Sequence, residues 1–193
     1  MITQQTNLLS LGMFVKQLTA LWIICSSTLL MAQNYETQKF ELIKTLDEVE
    51  IRYYPPVIKI ASVQENGFKN LFGFISGNNS SQQKIAMTTP VYMADNIGKK
   101  VMEFVLPRNF DLENTPLPNS KEVEVYQAQS AYVIAYGYGG YSNANKTAKA
   151  IDKLRQAAQK NGLKIIGAPQ LLVYNAPYQF WSRKNEVLLE IAY

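Results

Sequence analysis

Glu48–Tyr54 reads EVEIRYY and Glu122–Tyr126 reads EVEVY, and each leads into a second apolar run, VIKIASV at Val57–Val63 and AYVIAYGY at Ala131–Tyr138. Alternating apolar and polar residues of this length predict half-buried strands. In the first half a helix is expected over residues 67–76. A polar loop (GNNSSQQ), an extended KIAMTTPVYM at Lys84–Met93 and a strand VMEFVL at Val101–Leu106 follow it. The second half repeats the order, with a helix over residues 143–161, LKIIGAPQLLVY at Leu163–Tyr174 and a last strand VLLEIAY at Val187–Tyr193. Both halves read strand, strand, helix, strand, strand. This internal repeat predicts a pseudo-twofold α+β domain in which two antiparallel sheets join and two helices pack against them. Residues 107–120, PRNFDLENTPLPNS, carry three prolines and read as the linker between halves.

The two helices differ in pattern. In the second, Ser142 reads as N-cap, Ala144, Ala148, Ile151, Leu154 and Ala158 as the core stripe, and Gly162 as the C′ glycine. In the first, Phe68, Leu71, Phe72 and Ile75 fall at i, i+3, i+4 and i+7 and fill the core stripe. Phe74 is left pointing outward, with Asn70, Lys69 and Gly73 around it. It reads either as a solitary exposed aromatic or as one wall of a ligand site that mid-helix Gly73 leaves open. Near the C-terminus Tyr174, Tyr178, Phe180 and Trp181 crowd a loop with Pro177, Arg183 and Lys184. So much ring surface either packs on the core or covers a ligand.

Composition narrows the chemistry. The 193 residues contain no histidine and one cysteine, Cys25, which removes the usual general base, the commonest metal ligand and any disulfide. Leu18–Met31 (LTALWIICSSTLLM) follows Lys16 and precedes Ala32. It reads as the apolar core of a signal peptide spanning residues 1–33, with Met13 as an alternative start and cleavage near Ala32 or Gln33. An uncleaved anchor and a lipoprotein are the competing readings, although Trp22, Ile23 and Ile24 before Cys25 lack the small residues that lipid attachment requires. The expected product is an exported, periplasmic or extracellular, single domain over residues 34–193, with no membrane span. The formal charge of +4 drops to +3 without Lys16, too small and scattered for nucleic acid.

Few other constellations carry chemistry. Glu103 and Glu190 occupy comparable places in the two repeats. They read as outward-facing strand residues, or, if brought together, as an acid/base pair or a seat for a cationic ligand. Thr88 and Thr89 lack any base and orienter, and Pro90 marks a structural turn. No metal-ligand spacing, phosphate loop or nucleotide fingerprint is present.

FKNLFGFISGNNSSQQKIAMTTPVYM (Phe68–Met93), VMEFVLP (Val101–Pro107), AYVIAYGYGGYS (Ala131–Ser142) and YNAPYQFWSRKNEVLLEI (Tyr174–Ile191) resemble the SOUL family of haem-binding proteins. The resemblance runs from Tyr35 to the end of the chain. It implies a twisted, barrel-like antiparallel sheet flanked by two helices, and non-enzymatic binding of haem or another tetrapyrrole in an apolar groove between the first helix and the loop before the last strand. Carried onto this sequence, Lys69, Gly73 and Phe74 line one wall and Tyr178, Phe180 and Trp181 the other, while Lys69, Arg183 and Lys184 pair with propionates. A histidine axial ligand, described for some members, is impossible here. Tyr174, Tyr178, Met87 and Met93 are weaker substitutes, and binding by ring faces and propionates without iron ligation is the expectation. Hiding roughly 400 Å² of apolar surface gives on the order of 10 kcal/mol gross. Against an association cost of about 4–15 kcal/mol, that predicts micromolar affinity at best. Another small amphipathic ligand, or a purely structural or partner-binding role, are the alternatives.

Overall fold

Two short connections force the sheet to curl. In the computed structural model, which describes residues 35–63, 66–96 and 98–193, strand β3 (Val49–Tyr54) passes through Pro55 and Pro56 into β4 (Val57–Ser62). Likewise β8 (Glu124–Ala128) passes through Gln129 and Ser130 into β9 (Ala131–Gly139). Neither connected pair is hydrogen-bonded together. Instead β3 pairs with β9 and β4 with β8, so each half lends a strand to the other.

The remaining elements are β1 (Glu36–Thr37), β2 (Glu41–Leu46), α1 (Gly67–Ile75), β5 (Thr88–Thr89), β6 (Val91–Asn96), β7 (Lys99–Val105), α2 (Ala144–Lys160), β10 (Lys164–Ile165), β11 (Gln170–Val173) and β12 (Lys184–Ala192). The main sheet runs β2-β3-β9-β12-β11-β6-β7-β4-β8, with β10 added beside β12. Two-residue links between strands six places apart in this order are possible only if the sheet rolls into a half-barrel. The α+β, barrel-like expectation holds, with one sheet of interleaved halves where the repeat suggested two joined sheets.

Alternation sorts side chains to the two faces. Inside the curl lie Tyr54, Tyr92, Val105, Val133, Ala135, Leu172 and Leu188. Outside, α1 packs on β4 and β7 through Leu71, Phe74 and Ile75 against Ile58, Ile60 and Phe104. Helix α2 packs on β9 and β12 through Ala150 and Leu154 against Ile134, Val187 and Leu189.

Several local expectations are corrected. Asn143, not Ser142, caps α2, its side chain accepting from the Lys146 amide at 2.9 Å. Gly162 does close the helix at φ +66°, a conformation that favours glycine. Ala144 and Ala148 are exposed although the stripe predicted them buried. The linker packs: Phe110 reaches the α1 core and Pro118 bridges to Asn79. β1 and β2 were not anticipated. The export segment, with Lys16, Cys25 and Ala32, falls outside the described residues, and no described helix is long and apolar enough to cross a membrane.

Asn79 organises the loop after α1. It is 1 % exposed, donates to the carbonyls of Phe74 (2.9 Å) and Gln83 (2.7 Å), and accepts from the Gln83 amide (3.0 Å). Asn79→Ala strands these backbone groups, so it is expected to cost about 2 kcal/mol in urea unfolding. A loss below about 0.5 kcal/mol would mean that the loop holds its shape without these bonds.

Candidate functional site

A helix is about 10 Å across and strands lie about 4.8 Å apart, so each helix covers roughly two strands. With α1 over β4 and β7 and α2 over β9 and β12, the two strands between them, β6 and β11, are left uncovered on that face. Above them is a groove of about 910 Å³, within the size range of small-molecule sites. Its floor is one cross-strand row, Met102–Met93–Leu171–Val187, set by the registers of β7, β6, β11 and β12. Val101 and Val173 extend it, and Ala144, Ala148 and Ile151 of α2 form a wall. This explains why Ala144 and Ala148 are exposed: they face the groove where the helix stripe would predict core. On the far side Met102 meets α1 closely, since a Cβ on Gly67 would come within 3.2 Å of the Met102 Cβ. Polar groups sit at the rim: Asp95, Lys100, Ser142, Asn143 and Thr147.

Helix α1 is rotated about 60° from the orientation predicted for it, at about 100° per residue. Phe74 is 1 % exposed and belongs to the core, whereas Phe68 and Phe72 are 48 % and 49 % exposed. These two rings stack at 5.7 Å, and Phe68 meets Phe104 edge-on. Phe74 therefore forms no wall of a ligand site. Gly73 faces open space, and Lys69 is exposed beside it.

The hairpin loop between β11 and β12 does carry exposed rings: Tyr178 (79 %), Phe180 (69 %) and Trp181 (62 %), the last two packed edge to face at 4.5 Å. Arg183, expected to pair with propionates, is buried and builds this loop. Its Nη1 donates to the carbonyls of Ala176 and Gln179, and its guanidinium lies 4.3 Å from the Tyr141 ring. Tyr141 in turn donates to the Pro177 carbonyl. The loop leaves the sheet at Val173, and Tyr141 adjoins Ser142, so its base borders one end of the groove. Lys184 is half exposed; its Nζ is 3.2 Å from Glu186 and lies over the Tyr174 ring.

The barrel interior is polar at two points. Arg52 forms a bidentate pair with Glu186 (2.9 and 3.0 Å), donates to Glu50, and lies under the Phe40 ring. Tyr174 donates its hydroxyl to Glu186 at 2.5 Å. Burial pushes the Glu186 carboxyl up, but the bonds from Arg52 and Tyr174 and the charges of Arg52 and Lys184 outweigh it and hold the group below its ordinary range. Burial likewise pushes the Tyr54 hydroxyl up to about 12, against the pull of Arg52. Across the sheet Lys59 binds Glu103 at 2.9 Å and sits over the Tyr92 ring, while Tyr126 donates to the same carboxylate. These charge pairs were illegible beforehand, because their partners lie 134 and 44 residues apart and meet only through the sheet register.

Glu103 is thus a largely buried, paired carboxylate, and Glu190 an exposed one. In the sheet Glu103 shares its row with Tyr92, Leu172 and Glu186, which puts Glu190 three strands away and four residues out of line. The two are not brought together. Thr88 is spent on the Val105 carbonyl, and Thr89 is bonded to Thr37 ahead of a cis Pro90. Tyr174 is committed to Glu186, and Met87 packs against the α1 core. Met93, 38 % exposed, lies on the groove floor. No group of three or more acidic, Cys or His side chains placed to hold a metal ion occurs among the described residues.

A half-barrel of interleaved repeats with two outer helices and an apolar groove between them defines a small-ligand-binding domain. The chain belongs to the SOUL heme-binding protein family, whose pattern it matches over residues 35–190. It is 24 % identical to mouse heme-binding protein 2, with 72 % of this chain and 76 % of that protein covered. It is 25 % identical to the human protein over the same shares. Among solved structures, the C-terminal domain of EcmrR aligns with a TM-score of 0.54 at 11 % identity, over 77 % of this chain and 99 % of that one. A hydrolase from Listeria innocua aligns with a TM-score of 0.56 at 7 % identity, over 78 % and 94 %. These last two likenesses speak to the fold alone.

Proposed function

We propose that the protein binds haem or a related tetrapyrrole in the groove over β6 and β11 and acts by holding it, without catalysing a reaction on it. The observation that carries this reading is the uncovered strip of sheet between the helices, about 910 Å³ with an apolar floor, in a chain of a haem-binding family. Met93, Leu171, Val173 and Val187 take one side of the ring, with Ala144, Ala148 and Ile151 against its edge. Tyr178, Phe180 and Trp181 close over the end that their loop borders. Propionates pair with Lys100 at the rim; Lys184 is turned to the inner face of the sheet beside Glu186, Lys69 lies on the exposed side of α1, and Arg183 is buried with its Nη1 spent on backbone carbonyls. When bound, the group supplies light absorption and, with iron, a redox centre. The chain supplies an apolar seat and counter-charges. With no histidine in the sequence, no imidazole of this chain reaches the iron. A cationic ligand is disfavoured, since Glu103 and Glu186 already hold Lys59 and Arg52.

The non-catalytic reading is supported by the separation of Glu103 from Glu190. Export through the Leu18–Met31 segment is part of the same proposal. Its test is the mass of the protein recovered outside the cytoplasm, where a chain still carrying residues 1–33 would overturn cleavage.

Titration with haemin and with metal-free protoporphyrin tests the binding. Trp22 and Trp181 are the two tryptophans, so in a Trp22→Phe background Trp181 alone reports, and its emission is expected to be quenched with micromolar affinity. Ala148→Trp, on an exposed helical position, fills the groove and is expected to weaken both ligands at least about tenfold, or 1.4 kcal/mol. Unchanged affinity in Ala148→Trp would remove the groove from the proposal.

A further inference from the structure

The groove floor carries two soft donors, the thioethers of Met93 and Met102. Met93 and Met102 stand directly opposite one another on β6 and β7 and both line the groove. The other polar lining groups are spent or chemically wrong for the purpose. Asp95, one of whose oxygens accepts from the Gly98 amide at 2.9 Å in the β6–β7 turn, is a hard carboxylate donor suited to hard cations. The Ser142 and Thr147 hydroxyls bond to each other and to Tyr138. The Asn143 side chain caps α2, and Lys100 is an ammonium with no lone pair to give. That leaves the two thioethers, which are soft, uncharged and able to ligate haem iron without losing a proton.

The two are not equivalent. Met102 is partly buried and held under α1 by the close approach of Gly67. Met93 is 38 % exposed on the floor itself, and its three rotatable bonds let the sulfur adjust to a ligand. We infer that the Met93 thioether is an iron ligand of this protein, giving the groove a preference for iron porphyrin over the metal-free ring. This rests on the tetrapyrrole reading above and adds a ligand that the family match does not assign. Because thioether ligation favours the ferrous state, it also sets a direction for the redox behaviour: the bound haem is reduced more easily than one held by its faces alone.

The test is a comparison of Met93→Leu and Met102→Leu in the full chain, two nearly volume-conserving changes that keep the groove apolar. Haemin and metal-free protoporphyrin are titrated separately, and the haemin complexes are examined by near-infrared absorption and by reduction potential. The expected result is that Met93→Leu weakens haemin about tenfold or more, abolishes the thioether-to-iron charge-transfer band and lowers the potential, while protoporphyrin affinity stays within about twofold. Met102→Leu, a change on the same floor, is expected to shift the affinities for haemin and protoporphyrin together and to leave the charge-transfer band in place. Equal effects of Met93→Leu on both ligands, an unaltered haemin spectrum, or loss confined to Met102→Leu would each overturn the assignment while leaving the groove intact. Failure of both ligands to bind the unaltered chain would remove the groove reading and this one together.

Discussion

Arg52→Met is expected to destabilise the domain by about 3–5 kcal/mol, because it leaves Glu186 as an uncompensated charge inside the barrel. Glu186 is 2 % exposed and Arg52 5 %. The guanidinium makes both bonds of a bidentate pair and also ties down Glu50. Tyr174 and Lys184 remain as partners after the substitution, the first by a hydrogen bond and the second at 3.2 Å, but neither replaces a buried fork. Arg52→Met combined with Glu186→Met removes both charges and fills their space with apolar side chains. It is expected to be more stable than Arg52→Met alone, as buried ion pairs replaced as a unit usually are. Urea denaturation of the two variants beside the parent checks this; a double variant no better than the single would mean that the pair contributes through shape alone.

The same pair gives acid sensitivity of definite sign. The Glu186 carboxyl is held below its ordinary value of 4.5 in the folded state, so the unfolded chain binds its proton more readily. Its contribution is fully present above that ordinary value and is lost as pH falls through the lower, folded one. In Arg52→Met the balance shifts toward burial, which favours the neutral acid. The deficit of the variant relative to the parent should therefore shrink as pH falls toward and through the ordinary value of 4.5, where protonation relieves the buried charge in the variant before it does so in the parent.

How much of this was legible depends on where the partners of each residue lie. Alternation in EVEIRYY and AYVIAYGY placed β3 and β9 within a residue or so, since period-2 burial is a local property. The pairing of β3 with β9 rather than β4 is not local; it follows from a curl that no window of sequence contains. The groove was hidden for the same reason. Met93 and Leu171 are 78 positions apart and become neighbours only through the β6–β11 register. Ala144 and Ala148 read as core because small apolar residues at helical spacing usually are. Arg183 looked free because its acceptors are backbone carbonyls, which carry no sequence signal. The aromatic loop was legible only as ring surface that either packs on the core or covers a ligand; Tyr174 is bonded to Glu186 whereas Tyr178, Phe180 and Trp181 are exposed, a division that composition alone does not give.

Helix α1 shows how a periodicity argument fails, and Phe74 against Phe72 measures the failure. Five of its nine residues are large and apolar: Phe68, Leu71, Phe72, Phe74 and Ile75. Two overlapping stripes share Leu71 and Ile75, one completed by Phe68 and Phe72, the other by Phe74 and Gly67. Hydrophobicity favours the first. The structure takes the second, because Gly67 on the inward side lets the helix seat directly against Met102, while Phe74 fills a site among Ile58, Ile60 and Phe104. Phe74→Ala is accordingly expected to cost about 3–5 kcal/mol, the transfer loss plus the cavity left in a close-packed core. Phe72→Ala gives up a half-exposed ring stacked on Phe68, expected to cost about 1 kcal/mol or less. Had the stripe lain where periodicity puts it, the order would be reversed, so paired urea unfolding of these two variants decides the helix orientation, and with it whether Phe68 and Phe72 stay in solvent.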